Sequence, residues 1–159
     1  MSEKIISIPY TEIEDLTKLN DDEQLLVNTA IDAAKQAYSP YSKFNVGAAV
    51  LLENDNIVIG SNQENAAYPS GLCAERVALF SAGAQQGKIA PRKMAIAAIK
   101  DGKLTDNPVS PCGACRQVFA EVEKRYSKSF SLLLIGKDKI VKFEKSGLLL
   151  PFTFNSIDI

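Results

Sequence analysis

The residues best suited to chemistry are three cysteines, found in the motifs Cys73-Ala74-Glu75 and Pro111-Cys112-Gly113-Ala114-Cys115. The chain contains no histidine. Three thiolates can hold a zinc ion and leave its fourth coordination position open to water. Glu75 follows the first thiol by two positions, where a carboxylate can move protons to and from that water. The pattern therefore predicts an open three-cysteine zinc site with Glu75 as its acid and base.

Spacing alone leaves other uses of these cysteines open. A structural zinc site normally has four protein ligands, and the chain offers neither a fourth cysteine nor a histidine. Glu75 as the fourth ligand is disfavoured, because its place beside Cys73 on a helix points it away from the sulfur. A redox Cys-x-x-Cys motif would leave Cys73 and Glu75 unused. A non-enzymatic zinc or redox module remains the main alternative to an enzyme.

Helix signals indicate how the cysteines are positioned. Cys73 stands at the start of a predicted helix that ends near Gly87, and Pro111 begins another. Free N–H groups and the positive dipole end of a helix N-terminus favour thiolate over thiol. Cys112 and Cys115 are three positions apart, so they share one face of a first turn. We expect the two N-termini to lie side by side at one edge of a sheet, which brings Cys73 to the other pair.

The remaining elements follow from periodicity and punctuation. Asn20 and Glu23 form a capping-box pattern, which predicts a helix that ends before Pro40. Runs typical of strands occur at Val46–Leu52, Ile57–Ile59, Met94–Ile99, Phe130–Ile135 and Ile140–Phe143. Strands that alternate with helices predict the α/β class, as a three-layer α/β/α architecture with a mixed five-stranded sheet.

Length and composition bound the possible functions. Residues 1–19 show no clear period and are expected to form a leader with a short strand at Ile5–Ile8, followed by a single domain at 20–159. The formal net charge of −1 argues against a large nucleic-acid-binding surface. Apolar runs such as Leu132–Ile135 are too short to span a bilayer. An odd number of cysteines without a signal-peptide pattern predicts a cytoplasmic protein.

Further motifs surround the cysteines in a characteristic order. They are Tyr41–Ala49, Asn62–Tyr68, Cys73–Arg76, Val109–Gln117, and Leu150-Pro151 with Phe154. From about Tyr38 to Phe154 the chain resembles the small homotetrameric zinc-dependent cytidine deaminases, so a cytidine deaminase-like fold is expected. Three features depart from that family's pattern: the leader is longer than its usual start, Val77 stands where threonine is frequent, and the segment around Ala82–Arg92, expected at the surface, is slightly unusual.

The resemblance implies an activity, the hydrolytic deamination of cytidine and 2′-deoxycytidine to uridine and 2′-deoxyuridine in pyrimidine salvage. One Zn²⁺ per chain would be held by Cys73, Cys112 and Cys115, with water as the fourth ligand. Glu75 would shuttle protons from that water to N3 of the pyrimidine and to the departing amine, while the zinc-bound hydroxide attacks C4. A zinc deaminase of another aminopyrimidine nucleoside, such as a nucleoside antibiotic, is the alternative.

The resemblance also implies which residues contact the nucleoside. Asn62 and Glu64 would hold the sugar 3′-hydroxyl, because an amide and a carboxylate can both pair with hydroxyl groups. Phe44 would line the base pocket. Ala74 would offer its backbone N–H to the pyrimidine carbonyl.

Four further residues would support the site from outside. Arg76 would donate to the thiolates and offset their charge, and Arg116 has a similar but weaker claim. Tyr68 and Phe154 would reach the site of a neighbouring subunit, where Phe154 would stack on the base. The expected partners are therefore a nucleoside and further copies of the chain in a homotetramer, with neither nucleic acid nor membrane.

Overall fold

A mixed sheet with helices on both faces organises the chain. In the computed structural model, which describes residues 1–154, this sheet contains seven strands. The elements in chain order are β1 (Thr11–Ile13), α1 (Asp21–Ala34), β2 (Phe44–Leu52), β3 (Ile57–Ser61), α2 (Ala74–Gln85), β4 (Pro91–Lys100), β5 (Lys103–Leu104), α3 (Gly113–Tyr126), β6 (Ser131–Ile135) and β7 (Ile140–Phe143). Within the described residues, none of the helices is both long and apolar enough to span a membrane.

The strands lie in the order β1-β7-β6-β4-β2-β3, and β5 pairs with β4. Strands β4 and β6 are parallel, with Met94 opposite Leu132, and the other neighbours are antiparallel. The predicted three-layer α/β/α class is confirmed. The predicted number of five strands is wrong for this sheet, because β1 and the two-residue β5 extend it to seven.

Helix α1 covers one face of the sheet. Its buried Leu26 and Ala30 pack against residues of the central strands such as Ala95 and Leu133. The predicted capping box is confirmed, since Asn20 accepts from the N–H of Glu23 at 3.0 Å and the Glu23 carboxylate accepts in return.

Helices α2 and α3 cover the opposite face. Their buried side chains include Leu79 and Phe119, which join Val50, Met94 and Leu132 in one core. Helix α2 connects β3 to β4, and α3 follows the two-residue β5 at the end of β4 and leads to β6. Because β3 and β4 both run antiparallel to β2, both helices begin at the same edge of the sheet. This topology brings their N-termini together.

The leader adds the outermost strand. Thr11–Ile13 pairs antiparallel with β7, where Glu12 lies opposite Val141. The strand expected at Ile5–Ile8 is wrong, because that segment lies outside every strand and the pairing begins only at Thr11. The ring of Tyr10 contacts that of Phe143 at a centroid distance of 5.9 Å.

Candidate active site

The three thiols meet where α2 and α3 begin. Cys73 is the N-cap residue of α2, Cys112 is that of α3, and Cys115 lies in the first turn of α3. Their sulfur atoms all lie within 4.8 Å of one another, with 3.8 Å between Cys73 and Cys112 and 3.4 Å between Cys112 and Cys115. Thiolates that share a tetrahedral zinc at about 2.3 Å stand about 3.8 Å apart. The donor set and its spacing therefore fit zinc.

The protein environment makes the thiols unequal. A hydrogen bond with Cys115 lowers the pKa of Cys73 to about 5, against the opposing effect of burial and with further help from Arg76. The same hydrogen bond and burial raise the pKa of Cys115. The coupling between the thiols thus favours the thiolate at Cys73, and any thiol that remains protonated must release its proton when a metal binds.

Two arginines lie near the thiols but contact different atoms. Arg76 donates from Nη2 to Sγ of Cys73 at 3.6 Å, and this contact raises the pKa of the guanidinium. Arg116 donates from Nε to the carbonyl oxygen of Pro111 at 2.9 Å and from Nη1 to that of Leu149 at 3.2 Å. The contacts of Arg116 thus join the backbone before α3 to the backbone after β7, whereas Arg76 contacts a sulfur.

Glu75 is the second residue of α2 and is almost completely buried, with 4% of its surface exposed. Burial raises the pKa of its carboxyl group, and the negative charge on Cys73 raises it further. A carboxyl group with a raised pKa can both accept and donate a proton near neutral pH. Glu75 thus has the chemistry of an acid and base next to the thiols.

A cavity of about 850 Å³ opens beside these groups, within the usual range for small-molecule sites. Expected site residues among those that line it are Phe44, Asn62, Glu64, Tyr68, Cys73, Glu75, Arg76 and Cys112. Its wall also includes Tyr41, Ser42, Val109 and Ser110, for which the sequence predicted no individual role. Each of these four residues lies in one of the motifs at 41–49 and 109–117, which is the signal that could have found them.

Asn62 and Glu64 form part of the cavity wall and already have hydrogen-bond partners within the chain. Asn62 accepts from the N–H of Val46 at 2.7 Å and donates to the carbonyl of Phe44 at 3.0 Å. Glu64 accepts from the hydroxyl group and N–H of Ser42 and from the N–H of Tyr41. The hydrogen bond from Ser42 holds the pKa of Glu64 below its ordinary value.

Three other predicted residues occupy different surroundings. Ala74 is fully buried in the first turn of α2. Tyr68 is 76% exposed and meets the ring of Tyr41 edge-on at 6.1 Å. Phe154 is 78% exposed, is not among the residues that line this cavity, and is held through its backbone by Gln117.

Comparison with known proteins identifies the family. Residues 20–128 match the model described as the cytidine and deoxycytidylate deaminase zinc-binding region. The chain belongs to the cytidine and deoxycytidylate deaminase family. The matched range contains Glu75 and the three cysteines, so a zinc site in this deaminase is favoured over a redox module.

Named relatives support the same assignment. The chain is 41% identical over 138 residues to the cytidine deaminase of Halalkalibacterium halodurans. The alignment covers 87% of this chain and 98% of that protein. It is 38% identical over 138 residues to the cytidine deaminase of Mycobacterium tuberculosis, covering 87% of this chain and 93% of the relative. The crystal structure of cytidine deaminase from Burkholderia pseudomallei matches with a TM-score of 0.67 and 37% identity, covering 82% of this deaminase and 97% of the other chain.

Proposed function

We propose that this deaminase hydrolyses cytidine and 2′-deoxycytidine to uridine and 2′-deoxyuridine, with release of ammonia. The observation that carries the proposal is the cluster of three sulfur atoms beside a cavity that Cys73, Cys112 and the buried Glu75 line. The cavity of about 850 Å³ has room for a nucleoside. Relatives named as cytidine deaminases support this choice of substrate over another aminopyrimidine nucleoside.

Cys73, Cys112 and Cys115 are proposed to hold one Zn²⁺ per chain. When bound, zinc supplies a Lewis acid that lowers the pKa of water from about 15.7 toward about 7. Arg76 lies against Cys73 and offsets part of the negative charge of the three thiolates.

Glu75 is proposed to carry the protons of the reaction. Its carboxylate takes a proton from the attacking water and delivers it to N3 of the pyrimidine. The same group then takes the second proton of that water, now on the hydroxyl group at C4, and delivers it to the amine, so that ammonia leaves and C4 becomes a carbonyl. The raised pKa of Glu75 suits this role, because the group must be unprotonated before attack and protonated after it.

Other cavity residues are proposed to position the nucleoside. Phe44, Asn62 and Glu64 all line the cavity, where Phe44 would face the base and the other two would contact the sugar. Ala74 is the first residue of α2, where a backbone N–H has no acceptor within the helix, so it can donate to the pyrimidine carbonyl.

The assembly, domain organisation and cellular role are part of the same proposal. The exposed rings of Tyr68 and Phe154 favour a homotetramer in which subunits complete one another's sites. Residues 20–159 would form the catalytic domain behind the leader at 1–19. Free cysteines favour the reducing cytoplasm, where the reaction would serve pyrimidine salvage.

The proposal is tested by following the loss of the cytidine chromophore in the ultraviolet, with 2′-deoxycytidine in parallel. We expect turnover of both nucleosides and about one zinc per chain by metal analysis. Chelation should abolish turnover, and added Zn²⁺, but not Mg²⁺, should restore it. Full turnover by the zinc-free protein, or no turnover of either nucleoside by the zinc-loaded protein, would contradict the proposal.

A further inference from the structure

A set of hydrogen bonds joins Glu64 to the loop that precedes β2. Oε2 of Glu64 accepts from the N–H of Tyr41 at 2.9 Å and from that of Ser42 at 3.2 Å. Oε1 accepts from the hydroxyl group of Ser42. Glu64 and Ser42 both line the cavity, so these bonds lie in the wall that a substrate would meet.

These contacts leave a defined acceptor on Glu64. An ionised carboxylate offers about four lone-pair sites, two on each oxygen. Two N–H groups occupy those of Oε2, whereas the Ser42 hydroxyl occupies one on Oε1. The remaining acceptor site is therefore on Oε1, the oxygen that Ser42 contacts. A hydroxyl donor from a ligand must bind beside Ser42.

The same serine also connects Glu64 to the start of β2. Its Oγ accepts from the N–H of Phe44 at 3.1 Å while its hydroxyl donates to Glu64. Asn62 holds the carbonyl group of Phe44 at 3.0 Å. Lys43, which lies between Ser42 and Phe44 in sequence, has a positive φ of 55°. L-residues rarely adopt this conformation, and the hydrogen bonds of the loop maintain it. Ser42 thus links the side chain of Glu64 to the backbone of Phe44, which Asn62 also holds.

We propose that Ser42 is a positioning residue that orients the carboxylate of Glu64 and thereby sets the recognition of a sugar hydroxyl of the nucleoside. This inference rests on the proposed function. Ser42 itself need not touch the substrate. It fixes the direction of the free Oε1 acceptor, so its loss should matter only for substrates that carry the hydroxyl group.

The test compares kcat/KM for cytidine and its 2′-deoxy, 3′-deoxy and 5′-deoxy analogues. The analogue that the wild type uses least well identifies the recognised hydroxyl. We expect Ser42→Ala to lose about tenfold in kcat/KM for cytidine, from one weakened hydrogen bond to a charged group, but less than about twofold for that analogue. Ser42→Thr keeps a hydroxyl group and should therefore retain the wild-type discrimination between cytidine and that analogue. Ser61→Ala removes a hydroxyl group from a residue that does not line the cavity, and it should leave this discrimination unchanged.

A second arm removes Glu64. In a Glu64→Ala background, Ser42→Ala should cause no further loss of hydroxyl discrimination, because the group that Ser42 orients is gone. Undiminished discrimination in Ser42→Ala, or an equal loss on all four substrates, would overturn the role of Ser42. A wild type that discriminates against none of the analogues would overturn it as well. A zinc-loaded wild type that deaminates none of these nucleosides would overturn the proposed function, and this inference with it.

Discussion

Arg76 donates a hydrogen bond from Nη2 to Sγ of Cys73 at 3.6 Å, and both residues lie at the start of α2 with Glu75 between the two in sequence. One helix N-terminus therefore carries a thiolate, the cation that stabilises it and the buried carboxyl group. In the proposed three-cysteine zinc site, Arg76 would offset part of the negative charge of the thiolates.

The first prediction concerns that cation. Arg76→Ala should lower zinc affinity or kcat/KM by about 10- to 100-fold, the usual effect of removing a partner of a metal ligand. The physical reason is that the thiolate of Cys73 loses a hydrogen bond and a neighbouring positive charge. Competition with a fluorescent chelator measures the zinc affinity. Arg92→Ala is the control, since Arg92 pairs with Asp22 and Asp55 instead. Unchanged zinc affinity and turnover in Arg76→Ala would contradict this role.

A second prediction uses two glycines that allow helices to approach the sheet. A Cβ on Gly60 would lie 2.4 Å from the backbone nitrogen of Ala78 in α2, and one on Gly47 would lie 2.2 Å from the carbonyl oxygen of Ala30 in α1. Either change to alanine should lower the free energy of unfolding by about 1–3 kcal/mol through overpacking. Only Gly60→Ala shifts the helix that carries Cys73.

Zinc affinity should therefore fall in Gly60→Ala and remain at the wild-type value in Gly47→Ala. Urea unfolding of the zinc-free proteins and chelator competition measure the two effects separately. An equal loss of zinc affinity in both variants would show that the effect reflects general destabilisation rather than the position of α2.

Local patterns made much of this architecture predictable. The capping box of Asn20 and Glu23 is a contact between residues three apart, so sequence spacing is enough to find it. The helix starts near Cys73 and Pro111 could also be found from local pattern, although neither Cys73 nor Cys112 caps its helix with a side-chain hydrogen bond. Once the order of strands and helices predicted their crossovers, the meeting of these two cysteines followed from topology.

Contacts between distant segments could not be predicted in this way. The leader has no apolar period. Its strand forms because the segment that begins at Thr11 pairs with β7, where Thr11 lies opposite Lys142. The guanidinium of Arg116 binds the carbonyl of Leu149, which no local pattern indicates. The contact of Ser42 with Glu64 likewise joins two loops that only the folded sheet brings together.

A third prediction concerns the pH dependence of stability. Glu23 is 4% exposed and pairs with Lys93 at 3.3 Å and Lys142 at 3.1 Å. Burial alone would raise the pKa of this carboxyl group, but the two lysines and the N–H of Asn20 together lower it below the ordinary 4.5. A lowered pKa stabilises the fold above the unfolded-state value, and this stabilisation disappears as the pH falls through the folded-state value.

Glu23→Gln should accordingly lower the free energy of unfolding by about 1–3 kcal/mol at pH 7, because the charge that pairs with the two lysines is lost. The glutamine side chain can still accept from the N–H of Asn20, so the capping box is kept. The difference from wild type should vanish under acidic conditions well below pH 4.5. Glu144→Gln, at an exposed partner of Lys142, is the control and should have an effect of less than about 1 kcal/mol. A Glu23→Gln effect independent of pH would rule out the ion pairs as its cause.

A fourth prediction concerns the leader. Deletion of residues 1–14 removes β1, the ring contact of Tyr10 with Phe143 and the ion pair of Glu12 with Lys139. Urea unfolding should show a loss of about 1–3 kcal/mol, and light scattering should show more association because the edge of β7 is uncovered. No leader residue lines the 850 Å³ cavity, so kcat/KM should change less than about twofold. Loss of turnover with unchanged stability would instead place the leader in the catalytic assembly.

The most direct test of the account is the cytidine deaminase activity of Glu75→Gln, measured with its zinc content. Because the amide cannot carry protons, kcat/KM should fall by about 10²- to 10⁴-fold, while zinc binding through the three cysteines is retained. Glu121→Gln, an exposed change on α3, should keep wild-type turnover. A zinc-loaded Glu75→Gln protein that deaminates cytidine at the wild-type rate would contradict the assigned chemistry.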